Sequence, residues 1–165
     1  LERVARAPAA FDARFSATGK TYRYLIWNAA ELTPDVRLYR THVHRPLDVA
    51  RMRAAARRLV GRHDFASFSA NPQREVEGTV RSLYALTVQK RGPEVIITAR
   101  GEGFLYKMVR SLAGFLIRVG QGDLPPESAD RILAAKGRTA EVPTAAPQGL
   151  FLWSVAYGAR RAARP

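Results

Sequence analysis

Cysteine is absent from the 165-residue chain. That excludes disulfides and thiolate chemistry together, and it fits a cytoplasmic setting. Histidine occurs only three times. His42 and His44 share a strand face, but a metal site needs a third ligand and usually a fourth, and only His63 beside Asp64 is left, so no metal site is expected. No apolar run reaches the roughly 18 residues that a membrane-spanning helix requires, and the start shows no signal-peptide pattern. Acidic residues are scarce: 14 Asp and Glu stand against 27 Lys and Arg, a formal net charge of +13. Apolar residues are not scarce. They make up 47% of the chain, which supports one domain with a real core and excludes a disordered basic tail.

The charge admits two sources. A surplus of this size in one domain favours a polyanionic partner. The excess of Arg over Lys, with abundant Ala, also follows from GC-rich codons, although codon use does not explain why acidic residues fail to balance it.

Periodicity divides the chain into elements. Lys20 to Asn28 alternates polar and apolar residues and reads as a strand. Leu38 to His44 is a weaker strand candidate. Asp48 is placed to cap a helix running to about Val60, with Gly61 ending it. Asn71 to Gly78 reads as a loop. Val80 to Gln89 and Val95 to Arg100 form a hairpin across Lys90-Arg91-Gly92-Pro93. A helix is expected from Phe104 to about Val119, and another from Pro125-Pro126-Glu127 to about Ala135. Leu150 to Tyr157 is the last strand. The predicted class is α+β, a mostly antiparallel sheet with helices packed on one face. Residues 1–10 read as the remnant of a preceding domain or linker, 11–157 as the domain, and 158–165 as a basic tail.

The Phe104 helix carries the sharpest feature. Phe104, Leu105, Met108, Val109, Leu112, Ala113, Phe115, Leu116 and Val119 form a wide apolar stripe. Lys107, Arg110, Ser111, Gly114 and Arg118 fall on the remaining face. Gly114 lies one turn from Arg110, so a backbone or a substrate can come close there. An arginine in such surroundings needs an anion, because leaving a buried charge unpaired costs on the order of 3–5 kcal/mol. Either the chain supplies Arg110 with a carboxylate or something outside it does.

Other residues admit two readings each. Arg14 stands between Phe11 and Phe15, a pattern suited to stacking on bases with a phosphate contact, or a surface arginine shielded by two core phenylalanines. Tyr22 and Tyr24 share a strand face. Each is either a core tyrosine bonded through its hydroxyl or a cleft residue able to stack on a base or move a proton. Arg51, Arg53, Arg57, Arg58 and Arg62 are a solvated face or a phosphate-facing stripe. Gly101-x-Gly103 lacks the third glycine of a dinucleotide fingerprint.

Six segments in fixed order carry a family resemblance: FDARFSA, KTYRY, HDFASF, TVRSL, GEGFLYKMVR and QGLFLW. Together, from about Phe11 to Tyr157, the chain resembles the C-terminal half of the TruA family of tRNA pseudouridine synthases. The resemblance implies isomerisation of uridine to pseudouridine in the tRNA anticodon stem-loop, on a flipped-out base, without cofactor or metal. It implies that an aspartate starts cleavage of the glycosidic bond, that Arg110 pairs with that aspartate, and that Tyr22 contacts the flipped uridine and is a candidate for proton transfer at C5. It makes Phe11, Asp12, Ala13, Arg14 and Phe15 one RNA-contacting segment, and Pro72, Gln73 and Arg74 another. It implies a homodimer with tRNA lying across both subunits.

The family's aspartate sits in an Arg-Thr-Asp-Ala-Gly-Val-His motif that this chain lacks. None of Asp12, Asp35, Asp48, Asp64, Asp123 and Asp130 has that context. The expectation is a fragment, inactive alone, whose partners are tRNA and the missing N-terminal half, with no membrane role. The alternative is a catalytically silent tRNA- or RNA-binding domain.

Overall fold

The computed structural model describes residues 6–71 and 78–158. Its strands are β1 (Ala17–Trp27), β2 (Thr41–His42), β3 (Gly61–Asp64), β4 (Val80–Arg91), β5 (Glu94–Gly101) and β6 (Leu150–Tyr157). Its helices are α1 (Val49–Arg58), α2 (Met108–Gly120) and α3 (Ser128–Ala134). The sheet runs β2-β1-β5-β4-β3, and β6 joins the same edge of β1 as β2. Only the two-residue β2 is parallel to its neighbour; the other pairings are antiparallel. The α+β class expected from the pattern is the one observed.

Side-chain alternation decides which face is covered. Tyr24, Ile26, Ile97, Ala99, Leu86 and Val88 are buried on one face of β1, β5 and β4. Against them lie Met52, Ala55 and Ala56 of α1 and Leu112, Phe115 and Leu116 of α2, in one continuous core. The hairpin turns through Gly92-Pro93 alone, because Arg91 and Glu94 still pair across the ladder. Gly92 has φ 57°, which glycine adopts without a Cβ penalty at the first central position of such a turn. Asp48 caps α1 through its side chain, accepting from Arg51 N at 3.0 Å.

Besides shifts of two or three residues at β1, β4 and α3, three boundaries differ from the pattern. Leu38 to His44 shrinks to Thr41–His42, with turns before it. Gly61 does not merely end α1: at φ 127° it opens β3, which pairs with β4 and leads to a 3-10 turn at Ala66–Phe68. The central helix starts at Met108 rather than Phe104. Lys107 there takes a left-handed φ of 57°, and Tyr106 gives its carbonyl to Ala70 N at 3.1 Å. Tertiary contacts thus hold residues 104–107 as a loop, against their helical spacing. No helix among the described residues is long and apolar enough to cross a membrane.

Candidate functional site

Arg110 lies in the first turn of α2, half-buried. Its Nε donates to the Ala145 carbonyl at 2.7 Å, and Ala145 N donates back to the Arg110 carbonyl at 3.1 Å. The next carbonyl, of Ala146, accepts from the Tyr24 hydroxyl at 2.7 Å, and that hydroxyl also shares a hydrogen bond with Thr41 Oγ1 at 2.6 Å. Burial pushes the Tyr24 pKa up, against the Thr41 hydrogen bond and the Arg110 charge. The close approach expected at Gly114 is made by backbone: a Cβ there would overlap the Pro143 carbonyl oxygen.

The anion that Arg110 calls for is not found among the described residues. Arg110 makes no ion pair there. Five of the six aspartates are engaged elsewhere. Asp12 Oδ1 accepts from the backbone N–H of Arg14 and Phe15. Asp48 caps α1, and Asp64 accepts from Ala66 N. Asp123 pairs with Arg45 and Asp130 with Arg58. Asp35 is exposed in a turn.

Tyr22 follows Tyr24 along the same face of β1, toward the end of the sheet where Lys20 pairs with Gly101. The Phe104 ring stands edge-on to Tyr22, with centroids 5.2 Å apart, which the late start of α2 permits. Burial pushes the Tyr22 phenol pKa up, so the hydroxyl is neutral near pH 7. Its hydroxyl has no hydrogen-bond partner among the described residues. Leu152 is the β6 partner of Tyr22 and stays 55% exposed beside it. Sequence reasoning missed Leu152. The signal was available in the shared alternation of Leu150 with Leu152 and Tyr24 with Tyr22, but only once β6 is known to pair with β1.

The turn before β1 stands at that same end of the sheet. Tyr157 anchors it, its ring tilted against Phe11 with centroids 5.1 Å apart and its hydroxyl donating to the Ala13 carbonyl at 2.9 Å. Two backbone N–H groups hold the Asp12 carboxyl below its usual range, so Asp12 shapes the turn. Phe15 is 75% exposed and Phe11 41%, which excludes the reading in which both are core. The Arg14 guanidinium lies 5.4 Å from the Phe15 ring centroid, and both are open to solvent. Pro72, Gln73 and Arg74 lie outside the described residues.

The arginines of α1 divide. Arg51 donates to the Leu124 carbonyl, Arg53 to the Val88 carbonyl, and Arg58 pairs with Asp130. These three are tied to the fold rather than aligned as a free stripe. His42 bonds the Ala29 carbonyl and His63 the Val60 carbonyl. Among the described residues no group of three or more His, Asp or Glu could hold a metal.

One-sided α+β packing, an arginine without an ion pair among the described residues, a tyrosine on the core-facing side of β1 and an exposed basic-aromatic turn together define the class, an α+β domain with a helical arginine beside its sheet. Comparison with known proteins makes this specific. The family model for tRNA pseudouridine synthase matches residues 55–158. The tRNA pseudouridine synthase A of Brevibacillus brevis is 45% identical over 157 residues, which cover 95% of this chain and 64% of that protein. The protein of the same name from Geotalea uraniireducens is 45% identical over 151 residues, covering 92% and 62%. That of Chlamydia trachomatis is 45% identical over 147 residues, covering 89% and 55%. The chain belongs to the tRNA pseudouridine synthase family, and it spans less than two thirds of the length of these relatives.

Proposed function

We propose that this chain is the arginine-bearing part of an enzyme that isomerises uridine to pseudouridine in the anticodon stem-loop of cytoplasmic tRNA. The observation that carries this reading is the half-buried Arg110, oriented by a neutral carbonyl and without a carboxylate partner among the described residues. In the proposal an aspartate from outside the described residues forms that pair. It starts cleavage of the bond between C1′ of the ribose and N1 of the base. The bonding pair leaves with the uracil, which turns; C5 bonds to C1′, the C5 proton leaves to a base, and N1 takes up a proton. Tyr22 faces the flipped base beside Phe104 and Leu152. A neutral phenol suits stacking and hydrogen bonding better than proton abstraction. Arg14 and Phe15 grip the RNA backbone and an unstacked base.

The same reading supplies the remaining partners. The outer edge of β6 is unpaired among the described residues, and it carries Leu152 and Trp153, both more than half exposed. Such an edge invites another strand or apolar surface. We assign it to the portion of the relatives that this chain does not cover, with the intact enzyme acting as a homodimer.

The test is tritium release from tRNA labelled at uridine C5. The chain alone is expected to bind tRNA with steep salt dependence and to release no tritium. Release is expected once the uncovered portion of a relative is added. Activity of the chain alone would refute the external aspartate. Binding without activity in the mixture would leave an RNA-binding domain only.

A further inference from the structure

Residues 139–146 lie as a strap across α2, and Arg138 is the clasp at its root. Arg138 Nη1 donates to the Ser69 carbonyl and to Ser111 Oγ, each at 3.2 Å. Its Nη2 donates to the Val142 carbonyl at 2.9 Å and to Thr144 Oγ1 at 2.6 Å. One guanidinium therefore ties together the 3-10 turn, α2 and two points of the strap. Its planar fork makes this possible; an ammonium on a flexible stem has no such fixed geometry. Further on, the strap meets Arg110 through the two Ala145 hydrogen bonds and Tyr24 through the Ala146 carbonyl. Gly114 lets the strap seat, since any Cβ would strike Pro143. Arg118 adds a longer bond, from Nη1 to the Ala140 carbonyl at 3.3 Å.

We infer that Arg138 is a positioning residue: it fixes the strap so that the Ala145 carbonyl aims the Arg110 guanidinium. The functional meaning rests on the role proposed for Arg110, but the geometric claim does not. Arg138 has no carboxylate partner among the described residues and bonds to neutral acceptors throughout. Its four contacts all converge on elements that flank Arg110, and Ser111 is the next residue in the chain. A contribution to stability alone would not require the clasp to end one residue short of the carbonyl that holds Arg110.

The test reads Arg110 directly, by hydrogen exchange of its Nε–H in the 15N-labelled chain. In the native protein that proton is protected by the Ala145 carbonyl. Arg138→Ala should lower its protection by about fivefold, the factor corresponding to one hydrogen bond of ordinary net strength. Met52→Ala, a core change in α1 that removes none of the strap's hydrogen bonds, should leave the protection intact at comparable loss of thermal stability. Should Arg138→Ala fail to fold, Thr144→Val removes one of its acceptors, and a smaller loss of protection is expected. Native protection in Arg138→Ala, or in Thr144→Val where that variant is needed, would overturn the inference. So would equal loss in Met52→Ala. None of these readings depends on whether the chain takes part in pseudouridine formation.

Discussion

Replacing Gly114 with alanine tests the seating of the strap, and it does so against the usual sign. In a helix interior alanine is favoured over glycine by about 0.5–1 kcal/mol, so an unobstructed Gly114→Ala would stabilise the protein. Here the added Cβ would overlap the Pro143 carbonyl oxygen and lie 3.0 Å from the Pro143 carbonyl carbon and 3.3 Å from Ala145 N. These are backbone atoms and cannot rotate away. The structure has two routes of relief. It can absorb the overlap, at about 1–3 kcal/mol for an overpacked core. Alternatively it can lift the strap and lose both Ala145–Arg110 hydrogen bonds, at about 0.5–1.5 kcal/mol each. Either route outweighs the helix gain, leaving a net loss of about 1–2 kcal/mol. In urea, with a slope of about 1–3 kcal/mol per molar, the midpoint should fall by roughly 0.5–1 M. Gly103→Ala is the control, since a Cβ there meets nothing within 4 Å, and its change should stay within about 0.5 kcal/mol. A Gly114→Ala protein as stable as the native chain would refute the close seating of the strap, and with it the route from Arg138 to Arg110.

Two further outcomes follow from the same geometry. Burial raises the Tyr22 pKa, so the fold favours the neutral phenol. That contribution is complete below the ordinary phenol value of about 10 and is lost as pH rises through the higher folded value. Urea midpoints followed from pH 8 upward should fall more gently in Tyr22→Phe than in the native chain, and superimposable profiles would sink the assignment. Phe15 is 75% exposed, so Phe15→Ala should leave the urea midpoint unchanged. It should weaken tRNA binding by about 1–3 kcal/mol if a base stacks on the ring, and titration showing unchanged affinity would remove Phe15 from the RNA surface.

Local signals carried much of this fold into the sequence. Asp48 announces α1 because its carboxylate and the backbone N–H of Arg51 lie within one turn of each other. The β4–β5 hairpin is legible for the same reason, although Lys90 and Arg91 belong to the ladder rather than to the turn, as is the alternation of β1, whose buried face includes Tyr24 and Ile26. Non-local contacts were not legible. Phe104 and Leu105 have helical spacing, yet a hydrogen bond from Ala70 and packing against Tyr22 hold them in a loop. β3 has only four residues, Gly-Arg-His-Asp, without alternation, and exists because β4 offers it an edge. Arg110 stood out because an arginine beside an apolar stripe conflicts with its surroundings. The carbonyl that holds it, Ala145, has no side chain to advertise it and lies 35 residues away. Leu152 was hidden for a related reason: leucine in a strand reads as core until its neighbours are known.

That Arg110 has no ion pair among the described residues bears on when such a site becomes effective. A carbonyl on Nε orients the guanidinium but does not neutralise it. With the side chain half-buried, water can still reach the charge, and the cost of leaving it without an anion is correspondingly modest. Attraction to a carboxylate about 4 Å away amounts to only about 1 kcal/mol in bulk water and about 4 kcal/mol at the effective dielectric of a protein surface. In the proposed assembly, the portion that docks on the open β6 edge does two things together: it brings an acid to Arg110, and it removes the water that would weaken the pair. Under the proposed function, strength at Arg110 develops with assembly of the enzyme rather than before it. A preset strap is what such a site needs: the arginine must already point the right way when its partner arrives, because reorienting a long side chain on docking would cost conformational entropy that binding must then supply.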